Sequence, residues 1–222
     1  RPAWSGGAGD AFVTANNNVV PPGYKPMIAQ GFDPEFRASR IKELLGGADQ
    51  KHTVESFKRI QLDDQERFAS EALPRLLDLV EGQATGNSMA VALLLKWDFR
   101  MDASRSEPLI FAGWMRQLLK DLLEDETGDL FRQLWGDRPN FLAAIAAGDP
   151  DASLLCDDIR TEKVKEDCRL IAARSLSTSL AELKSRFGED MAKWRWGAAH
   201  RATFSHTPFG FVPVLSSLFG FS

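Results

Sequence analysis

The chain has 222 residues, 44% of them apolar, with 27 Lys and Arg against 31 Asp and Glu for a net charge of -4. That size and composition exclude a disordered chain and fit one large or two small domains with a sizeable core. Acidic and basic residues alternate, so there is no basic face for a nucleic-acid backbone, and no apolar run approaches the roughly 20 residues that span a bilayer.

The first 32 residues are rich in Gly, Pro and Asn and read as loop, strand, loop, with the strand at Ala11–Ala15 leading into Asn16, Asn17 and Asn18. At Asp33-Pro34 the character changes. Asp33 reads as a cap, Pro34 as the first helical residue, and Phe36, Ile41, Leu44 and Leu45 as an apolar stripe ending at Gly46-Gly47. Thr53 caps a second helix through Leu62, and a third runs from Gln65 to Glu81 with a kink expected at Pro74. Further helices are predicted over Ser88–Lys96, Leu109–Glu124, Leu130–Trp135, Phe141–Ala147 and Glu162–Arg186. The fold class is mainly α, without repeats or low-complexity tracts.

Four segments carry a resemblance when taken in order: FVTANNNVVPPGYKP, FRASRIKELL, IQLDDQERFASEALPRLL and WRWGAAH followed by His206. Together they resemble the β-chain of the penicillin acylase (penicillin amidase) branch of the N-terminal-nucleophile hydrolases. The resemblance implies a four-layer αββα sandwich with a helical excursion in the β-chain. Residues 1–32 would then be a sliver of the sandwich, and 33–222 the helical segment with a tail returning toward the sheet. It also implies hydrolysis of a side-chain amide in the periplasm or outside the cell. The partners would be the remainder of the β-chain, the α-chain of a processed precursor and a small amide substrate.

That class attacks with the hydroxyl or thiol of an N-terminal residue whose own amine takes the proton. It holds the oxyanion with one backbone N–H and one Asn amide. The Asn after the strand matches Asn16, with Asn17 one register away, and the reading from residue types alone is a polar turn satisfying its own backbone. Arg37 matches the arginine that holds this Asn and keeps the nucleophilic amine uncharged, and from residue type alone it reads as an ordinary surface arginine. Arg40 reads as helix surface or an inter-chain contact, and Gln61, Asp63 and Asp64 as a buried hydrogen-bond node. Trp194, Trp196, Gly197, His200 and His206 read as packing and capping residues, since no carboxylate joins the two histidines to form a metal site.

Cys156 and Cys168 flank a hydrophilic segment and read either as a disulfide suited to an oxidising compartment or as two unlinked core thiols. The chain starts Arg1-Pro2-Ala3-Trp4 without a nucleophilic first residue, so an internal fragment, inactive alone, is expected. No cofactor is expected; some family members bind calcium, but the stretch 24–30 offers no carboxylate for it. A competing reading is a non-catalytic helical module that presents the aromatic tail 204–221 to a partner.

Overall fold

Helix α1, Phe36–Leu45, ends where Gly46 turns to φ 65° and returns its N–H to the carbonyls of Lys42 and Glu43. Glu35 occupies the N-cap position and makes no side-chain cap bond, which corrects the Asp33 cap and the Pro34 start. Helix α2, Val54–Gln61, opens with a capping box in which Thr53 and Ser56 satisfy each other's backbone N–H, as the Thr53 signal requires. These elements belong to a computed structural model that describes residues 11–21, 23–29, 31–46, 50–83, 87–134, 139–202 and 207. The tail 204–221, apart from Thr207, His206 and Trp135 lie outside the described residues, so the expectations placed on them have no structural counterpart here.

Helix α3, Arg67–Val80, continues through Pro74. Helices α4, Ser88–Leu94, and α5, Glu107–Thr127, follow, then α6, Phe131–Leu134, α7, Pro139–Ala147, and the short α8, Pro150–Ser153. Helix α9, Cys168–Phe187, and α10, Trp196–Ala199, complete the order. The helix predicted to begin at Glu162 begins six residues later. Residues 162–167 carry no apolar stripe, and Asp167 accepts the N–H of Leu170 to cap α9. A disulfide joins Cys168, the first residue of α9, to Cys156, with Cα atoms 5.0 Å apart.

The core lies between α3, α5 and α9. Leu73, Leu76, Ile110, Trp114, Leu118, Ile171 and Leu176 are almost wholly enclosed there, and burial of each such side chain contributes about 1.5–3 kcal/mol. The buried indole of Trp114 donates to Ala172 O and Ser175 Oγ, both at 3.1 Å, so the polar end of this large core residue is satisfied across the α5–α9 seam. Gly113 allows that close approach: a Cβ there would come within 2.8 Å of Ser179 Oγ.

A line of aromatic rings ties α1 to this core. Phe36 meets Phe68 at 5.6 Å between centroids, Phe68 meets Phe111 at 5.9 Å, and Phe111 meets Trp97 at 5.3 Å. Phe36 directly precedes Arg37, so the start of α1 is held by rings anchored in α3 and α5. The N-terminal strand is not formed: residues 11–14 are irregular, and the segment's pairing among the described residues is one parallel bridge between Asn17 and Asp33. A strand needs a neighbour to take its backbone groups, and none lies alongside 11–15 among the described residues.

Candidate functional site

The three asparagines divide into two that serve their own backbone and one that does not. Asn17 is buried; its Oδ1 accepts the N–H of Ala15 at 3.0 Å and its Nδ2 donates to Asn18 O at 3.3 Å. Asn18 Oδ1 accepts the N–H of Val20 at 3.1 Å. Both are the local turns that this residue type favours.

Asn16 differs. Its backbone is left-handed, φ 63°, a conformation Asn tolerates better than most side chains, and its carboxamide is exposed. Its carbonyl accepts the N–H of Asp33 at 2.9 Å, which fixes the turn against the entry to α1. Its Oδ1 accepts from Arg37 Nη2 at 2.9 Å, and no acceptor for its Nδ2 is present among the described residues. The cation therefore occupies the oxygen end of the carboxamide and leaves the nitrogen end as a donor. A guanidinium on the amide oxygen also polarises the N–H bonds and strengthens them as donors.

Arg37 Nη2 also donates to Ala15 O at 3.0 Å and to Asp33 Oδ2 at 2.8 Å. The sequence reading missed Asp33 because it assigned that residue to the helix cap; the i, i+4 spacing of Asp33 and Arg37 was the available signal. Arg40 is a correction of another kind. Its Nε and Nη2 grip the two carboxylate oxygens of Asp63 at 2.9 and 2.7 Å, and its Nη1 reaches Glu43 at 2.8 Å, so it faces inward and joins α1 to the α2–α3 turn. The Arg40 guanidinium holds the Asp63 carboxyl below the usual carboxylate range, against the opposing effect of burial. Asp64 pairs with Arg100 at 2.6 Å, whereas Gln61 is exposed and lies outside this node.

Trp194 is buried with its indole N–H on Gly188 O at 2.8 Å, and Trp196 stacks on His200 at 4.6 Å. Gly197 donates to Ala103 O at 2.9 Å. These contacts pack the segment against the 102–106 turn and α5. Among the described residues no group of three His, Cys, Asp or Glu is placed to hold a metal ion. A groove of about 1090 Å³ beside α5 and α9, lined in part by Arg116, Lys120 and Arg186, contains neither Asn16 nor Arg37.

Comparison with known proteins shows the family. The penicillin amidase family model matches residues 3–221. The acyl-homoserine lactone acylase QuiP of Pseudomonas aeruginosa is 28% identical over 224 residues, covering 92% of this chain and 26% of its own length. Penicillin acylase 2 proenzyme of Pseudomonas sp. strain SE83 is 25% identical, covering 95% of this chain and 26% of its own length. Among solved structures, a thermostable penicillin G acylase from Alcaligenes faecalis superposes with a TM-score of 0.57 at 17% identity, over 82% of this chain and 37% of that one. The curated relatives bear the names of acylases. The chain belongs to the penicillin amidase family and spans about a quarter of the length of the curated relatives it matches.

Proposed function

We propose that this chain supplies the oxyanion side of an amide-hydrolysing site, with Asn16 Nδ2 donating to the tetrahedral intermediate and Arg37 holding the Asn16 carboxamide in place. The observation that carries this is the Arg37 Nη2 contact to Asn16 Oδ1 at 2.9 Å, which aims the amide by its oxygen and leaves its nitrogen to donate. The N-terminal nucleophile, Ser, Thr or Cys, belongs to the part of the protein outside this chain, so the chain alone is inactive. It works with the rest of its β-chain and with the α-chain. On this reading residues 1–32 are a loop and strand piece that joins the αββα sandwich of the complete protein, and 33–222 are a helical insertion whose tail returns toward the sheet.

The substrate is a small N-acyl amide, the chemical class that includes both acyl-homoserine lactones and penicillins. Its acyl pocket lies largely in residues other than these. The setting is periplasmic or extracellular, which the Cys156–Cys168 disulfide suits. No helix among the described residues is long and apolar enough to cross a membrane.

Replacing Asn16 in the intact precursor tests the reading. Asn16→Ala and Asn16→Gly both remove the donor, and Gly also accepts the left-handed backbone without strain. Both are expected to mature normally and to lose turnover by a factor on the order of 100 or more, the usual effect of deleting one oxyanion donor. Wild-type turnover in both variants would remove Asn16 from the site.

A further inference from the structure

The Arg37 nitrogen that touches Asn16 has two hydrogens and three acceptors around it: Ala15 O, Asn16 Oδ1 and Asp33 Oδ2. Asp33 is the anion among them and the closest, at 2.8 Å. It also grips the other end of the same turn, because its backbone N–H donates to Asn16 O at 2.9 Å. One residue thus binds the backbone of Asn16 and the side chain that aims the Asn16 carboxamide.

Stability does not account for this pair. The Asp33 and Arg37 side chains are 56% and 61% exposed, and ion pairs so exposed contribute about 0–1 kcal/mol to folding. Without the carboxylate, Arg37 would keep two neutral acceptors for a flexible side chain with five donors, and water competes well for such a group. The carboxylate converts a loose cation into a fixed one.

We propose that Asp33 is a positioning residue for amide hydrolysis: its carboxylate holds the Arg37 guanidinium against the Asn16 carboxamide and so sets the direction of the Asn16 Nδ2 donor. This rests on the reading of Asn16 as the oxyanion donor. It extends that reading to a residue whose side chain takes no part in the chemistry. Asp33 acts through Arg37, so its loss weakens transition-state stabilisation while substrate binding is little changed.

The test is a double-mutant cycle in the intact, self-processed enzyme, with an N-acyl amide substrate such as an acyl-homoserine lactone or a penicillin. Asp33→Asn is expected to lower kcat roughly tenfold with KM held within about twofold, a coupling typical of residues in one hydrogen-bond network. In an Arg37→Ala background the same change is expected to cost almost nothing more. Asp33→Glu, which keeps the anion, is expected to recover a kcat between those of Asp33→Asn and wild type. The midpoint of denaturant unfolding is expected to be the same for all Asp33 variants.

Wild-type kcat in Asp33→Asn beside an impaired Arg37→Ala would overturn the role of Asp33 and leave the Asn16 reading intact. Full additivity of the two losses would do the same. Wild-type kcat in Arg37→Ala and Asn16→Ala would instead sink the underlying reading. If Asp33→Asn does not mature, Asp33→Ser is read by the same criteria; failure of both to mature would assign Asp33 to folding and end the proposal.

Discussion

Asp63 is the residue whose surroundings make the most definite statement about pH. Its carboxyl is held low by two hydrogen bonds from the Arg40 guanidinium, so the folded chain binds a proton there less readily than the unfolded chain does. The resulting stability is complete at neutral pH and is lost as pH falls below about 4, the unfolded carboxyl value, through the lower folded one. Asp63→Asn is therefore expected to weaken folding at pH 7 by about 2 kcal/mol, the usual worth of hydrogen bonds to a charged group. It is also expected to flatten the acid limb of a stability–pH curve from denaturant titrations. An unchanged acid limb would remove the pair from the account. At this scale the sequence was legible where side-chain type settles the matter and illegible where direction does. Three successive Asn are chemically identical in the sequence. Burial of Asn17 and the left-handed turn at Asn16 distinguish them, and both depend on Asp33 and Arg37 folding back from about twenty residues away.

Among the elements, the helices were legible because their signals are local. Thr53 and Gly46 terminate helices where their capping chemistry predicts, and α5 and α7 appear within a few residues of the expected spans. The failures differ in cause: the strand at 11–15 depends on a partner, whereas the late start of α9 follows local signals, the absence of an apolar stripe over 162–167 and the Asp167 cap. The short α10 was not predicted as a helix, and its docking supplies a test. A Cβ at Gly197 would lie 2.9 Å from Ala103 Cβ and 3.2 Å from Ala103 O, neither of which can swing aside. Gly197→Ala is expected to destabilise by about 1–3 kcal/mol as an overpacked contact, despite alanine's better helix propensity. Thermal unfolding of the variant checks this, and a rise in midpoint would mean that the segment does not bear on the 102–106 turn.

For the whole molecule, the notable fact is how many large apolar side chains of its N-terminal third face outward. Helix α2 is amphipathic yet has no buried residue; Val54, Phe57 and the adjacent Leu62 are exposed, as are Phe12, Met27 and Ile28. Where such side chains adjoin, they mark contact surfaces. Given the quarter-length span, hydrogen exchange over 11–33 and 54–61 is expected to be at least about tenfold slower in the complete protein than in this chain alone, as added packing raises the local opening energy. Equal rates would mean that these faces stay in water.

The ring line from Phe36 through Phe68 to Phe111 bears on how a site of the proposed kind could diversify. The arginine of the proposed site is mounted on a helix whose footing is partly aromatic, through the half-buried Phe36 on the buried Phe68 and Phe111. If the proposed role of Arg37 holds, mutagenesis of the complete protein selected for faster turnover is expected to collect changes at Phe68 or Phe111, whose repacking would shift α1, as well as beside the substrate.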